Sequence, residues 1–194
     1  NDIRCYSIPK LSDIMLMSSE QIHLFDTTLL LFRNRRLSIE QKFAKRAMDI
    51  VVSLLMAIVF SPFMLVIALL IKLYDGGPVF YKQERLTLDK KVFYVLKFRS
   101  MRVDSEKSGA RLAMKGDSRI TPVGRVIRNI HFDELPQIFN ILKGDMSLVG
   151  PRPERPEIAE EYRREIPEFD YRLKVKAGLT GFAQVYGRYN TTPY

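Results

Sequence analysis

"IVVSLLMAIVFSPFMLVIALLI", residues 50–71, carries no charge and is long enough to cross a bilayer as one helix. Ser61-Pro62 stands in its middle. A proline there removes a backbone donor and crowds the preceding turn, so it kinks or breaks the helix. Basic residues flank the run on both sides: Arg33, Arg35, Arg36, Lys42, Lys45 and Arg46 before it, Lys72, Lys82, Arg85, Lys90 and Lys91 after it. Short basic flanks favour the cytoplasmic side of a membrane. A single straight span puts one of these flanks on the far side. A helix bent at Ser61-Pro62 that enters and leaves by one face satisfies both. Both arrangements stay open on the residues alone, because spans do tolerate proline. A core helix of a soluble protein fits less well, since the run is apolar all round. In "KRAMD" (45–49), Lys45 and Asp49 are spaced i, i+4. That makes them either an exposed pair or, with Arg46, a charged group tucked at the membrane interface.

The chain has 194 residues, 46% of them apolar, so a packed core is expected and global disorder is not. Its formal net charge of +9 points to anionic partners: nucleic acid, anionic lipid or phosphorylated small molecules. The single Cys5 excludes an internal disulfide and suits a reducing compartment. With His23 and His131 as the histidines, no zinc site is expected. The opening "NDIRCYSIPK" lacks the basic-then-apolar start of a signal peptide.

Residues 1–38 are too few to hold a core of their own and are expected to be the tail of an upstream module or a linker. In them "FDTTLLLF" (25–32) reads as a strand, and "RNRR" (33–36) as a basic face suited to lipid headgroups. The apolar helix takes residues 39–75 and a cytoplasmic domain takes 76–194. There "DGGPVFYKQERL" (75–86) is a turn and an extended stretch, and "KVFYVLKFRSM" (91–101) is a strand. On that strand Lys97 and Arg99 share a face. "RVDSEKSGARLAMKGDSR" (102–119) is a polar loop with a mobile tip. "TPVGRVIRNI" (121–130) predicts a helix capped by Thr121, with Pro122 first and Arg125 and Arg128 on one face. A second helix is predicted from Asp133 or Glu134, on the stripe Leu135, Ile138, Phe139 and Leu142, stopping at Gly144. "EIAEEYRREI" (157–166) predicts a solvated helix, and "KAGLTGFAQVYGR" (176–188) a loop.

"HFDELPQIFNILKGD" (131–145) sets two carboxylates side by side. Neighbours on a helix or strand point apart. Asp133 then reads as a helix N-cap and Glu134 as a first-turn acid. The alternative is a phosphate site at a helix N-terminus, with Arg128, Arg125, Lys97, Arg99 and Arg152 as ligands. One carboxylate would attack phosphorus and the other would hold Mg2+. An adjacent pair does not suit glycoside hydrolysis, which needs two carboxylates converging across a sugar. The aromatics fall in strand or core positions rather than as a stacking array, which disfavours nucleic-acid binding.

"KRAMDI", the run broken by "SP", "GPVFYKQERL", "FYVLKFRSM", "GDSRITPVGRVIR", "DELPQIFNILKGDMSLVGPRPE" and "GLTGFAQVYGR" follow one another in a set order. It is the order of the bacterial sugar transferases, the monotopic phosphoglycosyl transferases acting on polyprenyl phosphate. The chain resembles that family over residues 39–190. The resemblance implies transfer of a sugar 1-phosphate from a UDP-sugar to undecaprenyl phosphate, with release of UMP and a covalent phosphosugar-aspartate intermediate. This would be the first membrane step of exopolysaccharide, capsule or O-antigen assembly. It implies Asp133 as nucleophile, Glu134 with Mg2+, Arg128 in phosphate contact, and Arg152 and Arg119 as further phosphate or nucleotide contacts. It implies a re-entrant helix broken at Ser61-Pro62, with Lys45, Arg46 and Asp49 at the interface, and a small α/β catalytic domain, helix-rich and α+β-like. The expected place is the bacterial inner membrane, with membrane lipids as neighbours and the catalytic domain on the cytoplasmic face. The family's long members imply a homodimer and an upstream module. Two stretches depart from the pattern. A turn often rich in glycine is "LTLDKK" (86–91) here, and the chain stops soon after "YGRYN", which leaves a shortened C-terminal end as an expectation. The rival expectation is a membrane-anchored basic scaffold without catalysis.

Overall fold

The computed structural model describes residues 20–24, 27–31, 37–103, 105, 117–181 and 184–185. The chain divides into two compact units, residues 1–43 and 44–194. In the first, β1 (Glu20–Leu24) and β2 (Thr27–Leu31) pair antiparallel, with Glu20 opposite Leu31 and Leu24 opposite Thr27. The strand expected within residues 25–32 is therefore β2. Cys5, "RNRR", the tip of the 102–119 loop and the closing residues lie outside the described residues.

Helix α1 spans Ile39–Asp75. It opens on a reciprocal cap: Gln41 N donates to Ser38 Oγ at 3.1 Å and Ser38 N donates to Gln41 Oε1 at 3.0 Å. Its apolar stretch is long enough to cross a membrane by length and composition. The break expected at Ser61-Pro62 is not a break in helical structure, because α1 runs on through both residues. Ser61 Oγ donates to Ile58 O at 2.8 Å, a back-bond that tends to bend helices. From Ala44 on, one side of α1 faces the second unit. Asp49, Ser53, Ile67 and Ile71 are buried there, with Met64 and Ala68 packed beside the last two. The opposite side leaves Val51, Leu55, Ile58, Leu65 and Leu69 exposed.

Both ends of the apolar stretch are fastened. Near its start, Lys45 Nζ donates to Ser147 Oγ at 2.5 Å, and the buried Asp49 accepts from Ser147 Oγ and Leu148 N, both at 3.1 Å. Arg46 donates to Ile141 O and Leu142 O at 2.6 and 2.7 Å. A cation there satisfies the bare carbonyls at a helix C-terminus. Farther along, the rings of Phe60 and Phe63 meet the edge of Phe132 at 6.1 and 6.2 Å. Ile67 and Ile71 join Phe98 and Ile127 in one apolar cluster.

Strands β3 (Phe80–Leu86) and β4 (Val92–Phe98) form an antiparallel hairpin. In its turn Asp89 and Lys90 adopt left-handed backbone angles (φ 54° and 62°). An ion pair from Lys90 Nζ to Asp170 at 2.7 Å fastens that turn. Helix α2 (Pro122–Asn129) follows, with Thr121 Oγ1 accepting from Gly124 N at 2.9 Å as the sequence predicts. A 3-10 turn, Phe132–Glu134, comes next. Helix α3 (Gln137–Lys143) ends at Gly144 (φ 99°). Its buried face is Gln137, Ile138, Asn140 and Ile141, while Phe139 is exposed, so the predicted stripe is rotated. Strand β5 (Ser147–Val149), α4 (Pro156–Glu165), a 3-10 segment (Pro167–Lys174) and β6 (Gly178–Thr180) complete the order.

The fold is helix-rich, with three two-stranded sheets among the described residues. Strand β6 corrects the expected loop. It pairs parallel to β5, and a Cβ on Gly178 would lie 2.1 Å from Gly150 N, so the glycines permit the backbones to meet. Phe93 and Val95 of β4 pack with Ile141, Met146 and Ala177. Asn140 fastens α3 to β4: its Nδ2 donates to Tyr94 O at 2.8 Å and its Oδ1 accepts from Leu96 N at 2.9 Å. One side chain thus serves β4 as a neighbouring strand would. It brings the segment before α3 alongside Lys97.

Candidate active site

Asp133 and Glu134 sit on the 3-10 turn between α2 and α3, not at the start of an α-helix. Pro136 lacks a backbone donor and α3 begins immediately after it. The residue before the turn, His131, takes a left-handed angle (φ 58°) that reverses the chain. No side-chain cap bond forms here, which corrects the N-cap expected of Asp133. Asp133 is 9% exposed.

The two carboxylates are held in opposite electrostatic states. Glu134 Oε1 accepts from Lys97 Nζ at 2.7 Å and from Arg152 Nη2 at 2.9 Å. Burial pushes its carboxyl up, but the charges and hydrogen bonds of Lys97 and Arg152 overrule it and hold it at about 2. Burial raises the Asp133 carboxyl. The Glu134 charge pushes the same way, and Lys97 and Arg128 oppose it without cancelling it. Burial also lowers the Lys97 ammonium, against the pull of Glu134. Two carboxyls pushed apart are the mark of a pair with separate acid–base roles.

Lys97, Arg152, Glu134 and Asp133 are thus brought together, and Arg128 bears on Asp133 by charge. Arg128 Nη1 is buried with no hydrogen-bond partner among the described residues. The other predicted cations go elsewhere. Arg99 is buried and ion-paired to Asp75 at the end of α1, so it does not share a site with Lys97. Arg119 grips Asp117 through Nε and Nη2 and donates to Ser105 O at 3.1 Å, which makes it a pin of its own loop. Arg125 is exposed on α2. Lys45, Arg46 and Asp49 tie α1 to α3 and β5, as described above.

A cleft of ≈ 260 Å³ opens beside the pair, lined by His131, Glu134, Leu135, Arg152, Leu179 and Gln184. It is small for a ligand site. Glu134 lines it, and Asp133 is the adjacent, more buried carboxyl. Sequence reasoning missed His131 and Gln184. The first carries no periodic signal, and the second was visible only as part of "GLTGFAQVYGR". Both amide heteroatoms of Gln184 are buried without a hydrogen-bond partner among the described residues.

No group of three or more metal-ligating side chains occurs among the described residues. The donor set still fits a hard cation of the Mg2+ type. Such a cation takes one or two carboxylates and fills its remaining positions with water and substrate phosphate oxygens. Glu134 is an ionised carboxylate facing the cleft, and Asp133 adjoins it.

Comparison with known proteins bears on the same residues. The family described as bacterial sugar transferase matches residues 40–194. An Aeromonas hydrophila protein named UDP-N-acetylgalactosamine-undecaprenyl-phosphate N-acetylgalactosaminephosphotransferase is 50% identical over 74% of this chain and 34% of its own length. Two proteins named UDP-glucose:undecaprenyl-phosphate glucose-1-phosphate transferase are also similar. The one from Caulobacter vibrioides is 43% identical over 74% of this chain and 54% of its own. The one from Klebsiella pneumoniae is 47% identical over 74% of this chain and 31% of its own. The chain therefore spans between a third and about half of these relatives, and on the family match over most of its length it belongs to the bacterial sugar transferase family.

Proposed function

We propose that this chain transfers a sugar 1-phosphate from a UDP-sugar to undecaprenyl phosphate. The observation that carries the proposal is the split pair: Asp133 buried and raised, beside Glu134 held ionised by Lys97 and Arg152. An Asp133 oxygen attacks the β-phosphorus of the donor. The bond from that phosphorus to the oxygen bridging to the α-phosphate breaks, and UMP leaves with the electron pair. A phosphate oxygen of undecaprenyl phosphate then attacks the same phosphorus and frees the Asp133 carboxylate. The product is the sugar joined to the lipid through a diphosphate, and neither step needs a net proton. Arg128, with its unpartnered buried nitrogen, and Arg152 face anionic charge at each transfer. Glu134 would hold Mg2+, which when bound with the donor neutralises phosphate charge.

The reading includes a re-entrant α1 at the inner membrane, with the catalytic unit on the cytoplasmic face. Its support is geometric. Lys45, Arg46 and Asp49 at the start of the apolar stretch and Phe60, Phe63, Ile67 and Ile71 farther along all contact the rest of the same unit, so both halves of the helix are tied to it. A bilayer core needs about 20 residues of helix to cross. The basic flanks favour the same face. The step would open exopolysaccharide, capsule or O-antigen assembly. A homodimer belongs to the same reading, and light scattering in detergent measures it.

The test is Asp133→Asn with labelled UDP-sugars, undecaprenyl phosphate and Mg2+. Wild type releases UMP and the variant does not. Near-normal turnover by the variant would overturn the assignment. Topology is tested in a Cys5→Ser background, with Lys42→Cys and Lys72→Cys each labelled in spheroplasts and in inverted vesicles. Both cysteines should react from the cytoplasmic face, and reaction from opposite faces would establish a span instead.

A further inference from the structure

The segment that carries Arg152 is held in an unusual way. Pro151 and Pro153 flank the arginine and neither has an N–H, so Arg152 and Glu154 are the segment's backbone donors. Its carbonyls are caught from outside, four in succession. Gly178 N donates to Pro151 O at 2.9 Å. Arg172 Nη2 donates to Arg152 O at 2.6 Å. Arg85 Nη1 donates to Pro153 O at 3.0 Å. Leu86 N donates to Glu154 O at 2.9 Å. Two of the four donors are side chains, from β3 and from the 3-10 segment 167–174.

Glu154 sits between those two arginines, its carboxylate oxygens 3.7 Å from Arg85 Nη1 and 3.8 Å from Arg172 Nη2. Arg85 also donates to Gln83 Oε1 at 2.6 Å, and the Arg172 guanidinium lies 4.7 Å from the centre of the Phe169 ring. Burial lowers both guanidiniums, partly offset by Glu154. Two cations are therefore kept in a place that disfavours charge, and what they secure there is the backbone on either side of Arg152.

We propose that Arg172 and Arg85, with Glu154 between them, are positioning residues that fix the Arg152 backbone so that its guanidinium is held on Glu134 over the cleft. The proposal rests on the transfer reading above for its kinetic test and on geometry alone for its second test. Neither arginine is hydrogen-bonded to the acidic pair among the described residues; Arg85 bears on Glu134 by charge, and both hold the backbone at Arg152.

The experiment is a double-mutant cycle on the full chain in nanodiscs, reading UMP release. Arg172→Ala lowers kcat by about tenfold, equivalent to about 1.4 kcal/mol of barrier. Arg172→Lys, which keeps a donor, recovers most of that loss and shows that the alanine variant is not simply unfolded. In an Arg152→Ala background the same Arg172→Ala change costs less than about twofold, because the group it positions is gone. An equal loss in both backgrounds, or none in either, overturns the proposal. The second measurement needs no turnover: modification of Arg152 by phenylglyoxal, followed by peptide mass spectrometry. It is faster in Arg172→Ala than in wild type and returns to the wild-type rate in Arg172→Lys. Equal rates in all three overturn the positioning role. Absence of UMP release from wild type with every UDP-sugar overturns the transfer reading instead, and the modification rates still decide the positioning role.

Discussion

Glu134 and Asp117 are both carboxyls held at about 2, and they reach that value by different routes. Asp117 does so locally. Its partner Arg119 is two residues away and supplies side-chain and backbone hydrogen bonds, with burial a lesser, opposing effect. Glu134 starts from a burial that pushes it up, and it is brought down by Lys97 from β4 and Arg152 from the proline-flanked segment. The first pair closes a loop. The second gathers three parts of the chain around one oxygen, beside another carboxyl shifted the opposite way. A depressed carboxyl alone therefore says little about chemistry. One depressed against its own burial, by groups remote in sequence, marks a built site.

Lys97→Ala breaks the contrast most severely. It leaves Glu134 buried with a single cation, and kcat/KM for UMP release should fall about 100-fold, the scale of removing one preorganised charge-stabilising donor. Glu134→Gln comes next and reads stability. The folded pKa lies below the ordinary 4.5, so the stabilisation is present above pH 4.5 and is lost as the pH falls toward about 2. The variant should lose at most about 3 kcal/mol at neutral pH, with the gap from wild type closing in acid as followed by denaturant unfolding.

Asp133→Asn should move stability the other way. Its folded pKa is raised, so folding at neutral pH has to keep a charge that burial opposes. The variant should melt higher than wild type at pH 7, by less than Glu134→Gln loses, with the advantage shrinking once the pH falls below the raised pKa. Wild-type rate should fall in acid at a pH above the ordinary aspartate value of 3.8. Asp117→Ala closes the series, with kcat/KM within about twofold of wild type, since a local ion pair contributes little. A loss as large as that of Lys97→Ala would erase the distinction between the two carboxyls.

Short-range chemistry in the sequence carried much of this fold. The Thr121 cap, the Gly144 stop, the β3–β4 hairpin and the long helix all follow from residues a few positions apart. The pairing of Arg119 with Asp117 is equally local, in "GDSR", although the resemblance places Arg119 among the phosphate contacts. What was not legible is long-range. Nothing near Arg99 announces that Asp75 will claim it, and nothing in "GLT" announces a strand until Gly150 arrives beside it. The acidic pair was visible as a pair, and Pro136 held the clue that the α-helix starts after it. The opposite shifts of Asp133 and Glu134 depend on Lys97 and Arg152, which only the packed chain brings there.

The rings of Phe60 and Phe63 against Phe132 have a consequence for handling the protein. Phe132 is the residue before Asp133, and the same contact region continues into Ile67, Ile71, Phe98 and Ile127. The apolar helix is therefore one wall of the catalytic unit's own core, as well as its most lipophilic part. A water-soluble version made by cutting after Asp75 would strip that wall and expose Phe98, Ile127 and Phe132 together. The helix is not a detachable tether, and detergent or lipid that covers its outer side is part of keeping the acidic pair in place.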